Sequence, residues 1–130
     1  MRTIVKKDPV TRVLVPLDGR TGFDFAVRHG ARLAASRQLP LAFVLFAPNR
    51  DVASHASRRL SETLRGATAA GAPPARLVVS GNCDYSTLGR EVGGGDLVLL
   101  AQDAGTRDAM HPYTRGARRL LVLSEGGVRS

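Results

Sequence analysis

The sequence predicts an α/β domain: a doubly wound, open sheet of parallel strands with helices on both faces. Three observations predict it. Short continuous apolar runs recur along the chain, each followed by turn residues or a polar stretch, and they do not alternate apolar with polar. Such runs suit strands buried on both sides, the usual state of parallel strands. Between them lie segments whose apolar residues recur at helical spacing. Buried apolar strands alternating with amphipathic helices then demand parallel pairing through right-handed crossovers.

The first run is Val13 to Leu17, closed by the turn sequence Pro16-Leu17-Asp18-Gly19. Phe23, Ala26, Val27, Gly30, Leu33 and Ala34 then mark one face of a helix, with Arg28, Arg32 and Arg37 set off it and Thr21 or Asp24 as cap. Pro40 breaks the pattern, and Leu41 to Phe46 (LAFVLF) is the second strand. After Pro48-Asn49, a second helical stripe runs through Val52, Ala56, Leu60, Thr63, Leu64 and Ala67, and Gly71 and Pro73-Pro74 stop it.

Leu77 to Val79 is the third strand, followed by Ser80-Gly81-Asn82. Asp84 is placed to cap a brief helix on which Tyr85, Leu88 and Val92 share a face, ended by Gly93-Gly94-Gly95. Leu97 to Leu100 is the fourth strand and Leu120 to Leu123 the fifth. Gln102 to Arg119, between them, reads as a polar, irregular stretch. Residues 1–10 fit no element and are left as a tail or a small extra strand.

A chain of 130 residues with 43% hydrophobic content suits one domain with a core of its own, formed by residues 1–130. Its apolar runs are too short and too interrupted for a membrane span. The N-terminus has no apolar stretch with a small-residue cleavage site, and the lone Cys83 cannot pair within the chain; a cytoplasmic, reducing setting is the expectation. The net charge of +8, from 19 Lys+Arg against 11 Asp+Glu, makes a nucleic acid or other polyanion one conceivable partner. Most of the arginines are scattered, however, and only 5% of residues are aromatic, which leaves little for base stacking. Nucleic-acid and membrane partners are therefore not expected.

Ligands of open α/β sheets bind beyond the carboxyl ends of the strands, where the strand order reverses. Asp18 stands at such a position. Its carboxylate either accepts hydrogen bonds from a ribose or base, or caps the turn into the first helix. His29, His55 and His111 are spread over different segments without metal-ligand spacing to Cys83. Ser80-Gly81-Asn82 and the three glycines are not a phosphate loop, because no Gly-Lys-Ser/Thr follows. Nor does any serine sit in a nucleophile elbow. No catalytic constellation is present, so the expectation is a protein that is not an enzyme and has no metal.

VLVPLDG, FAVRHGARLA and LAFVLF together resemble the opening of universal stress protein domains. DLVLLA at Asp96 to Ala101 is similar to the fourth strand of that family, and RRLLVLSEG to its closing strand. The resemblance runs from Arg12 to Gly126. It implies the strand order 3-2-1-4-5 and a dimeric stress-response or regulatory role. Many members bind ATP through Gly-x2-Gly-x9-Gly-Ser/Thr after the fourth strand, glycines that let backbone amides approach phosphate. Here those positions carry Ala101, Ala104 and Thr114-Arg115, with Gly105 one residue out of place. Asp18 alone matches a nucleotide contact, and Pro16, Ala101, Ala104 and Gly105 would surround a nucleotide only if one bound. The expectation is thus a domain that does not hold ATP tightly, against the alternative of an AMP or ATP binder with an altered loop.

That strand order leaves the last strand at an open edge. Leu120, Leu121, Val122 and Leu123 are accordingly the expected seam of a homodimer, two copies meeting antiparallel about a two-fold axis.

Overall fold

The computed structural model describes residues 10–19, 24–69, 75–80, 84–100, 108–124 and 127–129. In chain order the elements are β1 (Arg12–Asp18), α1 (Asp24–Arg37), β2 (Leu41–Phe46), α2 (Arg50–Ala69), β3 (Ala75–Ser80), α3 (Ser86–Glu91), β4 (Asp96–Leu100), a 3₁₀ turn (His111–Thr114), β5 (Arg119–Ser124) and β6 (Gly127–Arg129). The first five strands are parallel and lie in the order 3-2-1-4-5. This is the predicted α/β sheet.

Strand alternation divides the core into two layers. Val13, Val15, Leu17, Leu41, Phe43, Leu45, Leu97 and Leu99 face α1 and α2, which bring Ala26, Val27, Ala31, Ala34, Ala56 and Leu60 onto them. Leu14, Ala42, Val44, Phe46, Val98 and Leu100 face the other way, onto Leu88 of α3 and Met110 before the 3₁₀ turn. The small residues of α1 permit a very close approach to the sheet: a Cβ added at Gly30 would lie 2.7 Å from Val15 Cγ2.

Helix α1 ends on Gln38, whose φ of 55° is left-handed. The Gln38 amide donates to Ala35 O and the Leu39 amide to Ala34 O, at 3.2 and 2.9 Å. This is a Schellman cap built on a residue other than glycine. Asn49 Oδ1 accepts from the Val52 amide at 2.9 Å and caps α2. At α1 the sequence offered Thr21 or Asp24. Thr21 lies outside the described residues; Asp24 is the first helical residue, and its Oδ1 pairs with Arg59 Nη2 at 3.1 Å.

Three features depart from expectation. Pro16, Leu17 and Asp18, read as a turn after the first run, are the last residues of β1 and still pair with β2. The stretch before β5 is not wholly irregular, since residues 108–110 are helical and lead into the 3₁₀ turn, with Met110 fully buried. The sheet also gains a sixth, antiparallel strand: β6 pairs with β5 through Val122↔Arg129, Leu123↔Val128 and Ser124↔Gly127. The C-terminal half of Leu120–Leu123 is therefore an interior strand segment and not an open edge. Among the described residues β6 forms this edge of the sheet. Residues 1–9 lie outside the described residues.

Candidate functional site

The chain leaves β1 toward β2 and β3 on one side and returns to β4 on the other, so the strand order reverses between β1 and β4. Along β1 the backbone groups of odd-numbered residues face β2: the Val13 amide donates to Pro40 O at 2.9 Å, and just past the strand the Gly19 amide donates to Phe46 O at 2.7 Å. Even-numbered residues therefore face β4. Pro16 is one of these, and it has no N–H to give. The β1–β4 ladder runs over Arg12, Val13 and Leu14 only, whereas the β1–β2 ladder continues to Asp18. A proline in a central strand is unusual. Here it removes the donor on the β4 side at the level where the two strands stop pairing. Pro16 is buried, and its missing N–H accounts for the end of the β1–β4 ladder at Leu14.

Asp18 closes β1 on the α3 face of the sheet, as alternation from Leu14 and Pro16 requires. It is 1% exposed. The Tyr85 hydroxyl donates to Asp18 Oδ2 at 3.2 Å. The Tyr85 ring meets Phe46 edge-to-face, with centroids 4.9 Å apart and planes at 83°, a favoured arrangement for two aromatic rings. Asp84 positions Tyr85: its Oδ1 accepts from the Ser86 amide at 3.0 Å, which fixes the turn into α3. Hydrogen bonds from the Ser86 hydroxyl and amide hold the Asp84 carboxyl below its ordinary range. Gly19 follows Asp18 where space is short; an added Cβ would come within 3.1 Å of Phe46 O and 3.3 Å of Val52 Cγ1.

The structure thus sets Pro16 and Asp18 on one face of β1 and brings Tyr85, which the sequence marked only as an apolar helix position, onto Asp18. Ala101, Ala104, Gly105 and Cys83 lie outside the described residues. Thr114 is buried, and its hydroxyl donates to His111 O at 2.8 Å within the 3₁₀ turn. His29, His55 and His111 are exposed on three different elements. Among the described residues no group of three or more His, Cys, Asp or Glu side chains is placed to hold a metal ion.

At the opposite, amino-terminal end of the strands the chemistry is structural. Arg12 Nε and Nη2 donate to Asp96 Oδ1 and Oδ2 at 2.8 and 2.6 Å, and Nη2 also reaches Glu91 O at 3.0 Å. The hydrogen bond to Asp96 raises the Arg12 pKa further above its ordinary value.

Fold and site together define an open α/β domain with a buried carboxylate at its topological switch point. Compared with family models, with curated proteins and with solved structures, the chain gives no match in any of the three. Among the described residues no helix is long and apolar enough to cross a membrane.

Proposed function

We propose that the chain is a universal-stress-protein-like regulatory module that works as a homodimer and does not hold ATP tightly. The observation that carries the nucleotide part of this reading is the bond from Tyr85 to Asp18, and the regulatory and dimeric parts come from the resemblance. A switch-point carboxylate that recognises a ribose must offer its oxygens to incoming hydroxyls. In this chain a tyrosine hydroxyl already occupies Oδ2, and the tyrosine ring packs edge-to-face against Phe46 beside it. By the resemblance, Ala101 and Ala104 stand where nucleotide-binding members carry the glycines that let backbone approach phosphate. Thr114 spends its hydroxyl inside its own turn.

The test is calorimetric titration with ATP and Mg²⁺. The dissociation constant is expected to be weaker than ~100 μM, a binding free energy of no more than about 5.5 kcal/mol. A low-micromolar constant that weakens sharply in Asp18→Ala overturns the proposal in favour of a nucleotide sensor with an altered loop.

A further inference from the structure

We propose that β3 is the seam through which two copies of this chain join, forming one continuous sheet about a two-fold axis that passes midway between the two Val78 residues. The inference rests on the homodimeric reading above and replaces the last strand with the opposite edge as its interface.

The two edges of the sheet are unlike. β6 is three residues long, contains a glycine, and ends in Arg129. Short, charged edges of this kind resist pairing with another chain. β3 spans six residues, Ala75–Ser80, without glycine or proline, and Arg76 is its single charge. Its only strand neighbour among the described residues is β2. Leu77 and Val79 are 40% and 46% exposed, two of the three large apolar side chains left open among the described residues.

Backbone direction along β3 follows from one hydrogen bond. Ser80 O accepts from the Ala47 amide at 3.3 Å, so the main-chain groups of Ser80 face β2. By alternation those of Val78 and Arg76 do as well, and those of Leu77 and Val79 point out of the sheet. The two residues with exposed apolar side chains are thus the two that present N–H and C=O to the open edge.

A two-fold axis normal to the sheet keeps each face on its own side, so it pairs only residues of equal parity. Centred on Val78, it sets Leu77 opposite Val79 of the second copy, and Val79 opposite the second Leu77. Each couple exchanges two backbone hydrogen bonds as a hydrogen-bonded antiparallel pair. Both exposed side chains are then covered by cross-strand apolar partners. Arg76 falls opposite Ser80 of the other copy, and no like charges meet. Shifting the axis to Leu77 or to Val79 breaks this couple, leaving Val79 opposite Ala75 or Leu77 opposite residue 81. The register at Val78 alone is self-complementary for both, as an isologous contact requires.

The axis position gives the experiment. In a Cys83→Ser background, Val78→Cys places two thiols across a non-hydrogen-bonded pair, with Cα atoms about 4.5 Å apart, inside the range a disulfide spans. Arg76→Cys puts the corresponding atoms roughly 14 Å apart, beyond that range. Val128→Cys probes the β6 edge in the same way. Under mild oxidation at micromolar protein, Val78→Cys should yield the covalent dimer at least about tenfold faster than either control. Light scattering should give wild-type protein twice the 13.8 kDa chain mass, and Val79→Lys, folded by circular dichroism, the single-chain mass. Equal cross-linking at 76 and 78, faster cross-linking at 128, or a monomeric wild type at ~100 μM overturns the proposal. A dimeric wild type without the preference for position 78 overturns the seam alone, whereas a monomeric wild type overturns the homodimeric reading as well; neither outcome depends on nucleotide.

Discussion

The Tyr85 hydroxyl reaches Asp18 Oδ2 at 3.2 Å across 67 residues of chain, joining the end of β1 to the entry of α3. The contact ties the segment after β3 to the end of β1, beside the switch point. It also makes the most ligand-like carboxylate in the molecule part of the protein's own hydrogen bonding. Tyr85→Phe keeps the ring on Phe46 and removes only the donor. It should lower unfolding stability by about 1 kcal/mol, the usual net worth of one such bond, as read from urea denaturation. No measurable loss would mean that the bond contributes nothing to the folded state.

Gly30 shows how tightly α1 lies on the sheet. Alanine there gains up to ~1 kcal/mol of helix propensity. Its methyl would lie 2.7 Å from Val15 Cγ2, and Val15 is fully buried in the central strand. Overpacking of this kind costs about 1–3 kcal/mol, so Gly30→Ala should destabilise on balance. Val15→Ala should relieve part of the clash, and the double-mutant cycle should return a favourable coupling. Strict additivity of the two changes would contradict the contact.

Much of this fold was legible because burial on both faces writes itself as apolar runs. LAFVLF corresponds residue for residue to β2, and Leu97 to Leu100 to all but the first residue of β4. The apolar pattern is shorter than β1 because Arg12 and Asp18 are polar but satisfied, one by Asp96 and the other by Tyr85. β6 left no comparable trace, since Gly127–Arg129 holds a single apolar residue and depends on β5 for its pairing. The site was half legible. Asp18 was marked by its place after a buried strand, and Pro16 by its proline, whose consequence needs the ladder on either side of it. Tyr85 was not, because a partner 67 residues away leaves no local pattern.

Gln38 occupies the left-handed position of the α1 cap, where a side chain costs roughly 1–2 kcal/mol relative to the right-handed conformation. Glycine meets no such cost, though it adds freedom to the unfolded chain. Gln38 is exposed, so few contacts are lost on replacing it. Gln38→Gly should therefore stabilise the protein by about 0.5–1 kcal/mol, measured as a rise in the urea midpoint at unchanged m-value. A fall in the midpoint would show that the glutamine side chain holds the cap in some other way.

Arg12 gathers three structural elements at the amino-terminal end of the sheet. Its fork grips both oxygens of Asp96 at the start of β4, and the same Nη2 holds Glu91 O at the end of α3. The Asp96 side chain is 4% exposed against 24% for Arg12, so the carboxylate is the group that depends on its partner. It also accepts from the Gly93 amide at 2.8 Å, which leaves it one donor when Arg12 is removed. Arg12→Ala should then cost about 2–3 kcal/mol, below the usual range for breaking a buried pair because that donor persists and Arg12 is partly solvated. Lysine supplies the charge without the planar fork, and it cannot serve Asp96 and Glu91 together in the same geometry. Arg12→Lys should recover less than half of the loss, and the α3 amides should exchange faster with solvent in both variants. Full recovery with lysine would mean that charge alone, and not the bidentate grip, joins β1, α3 and β4 at this end of the sheet.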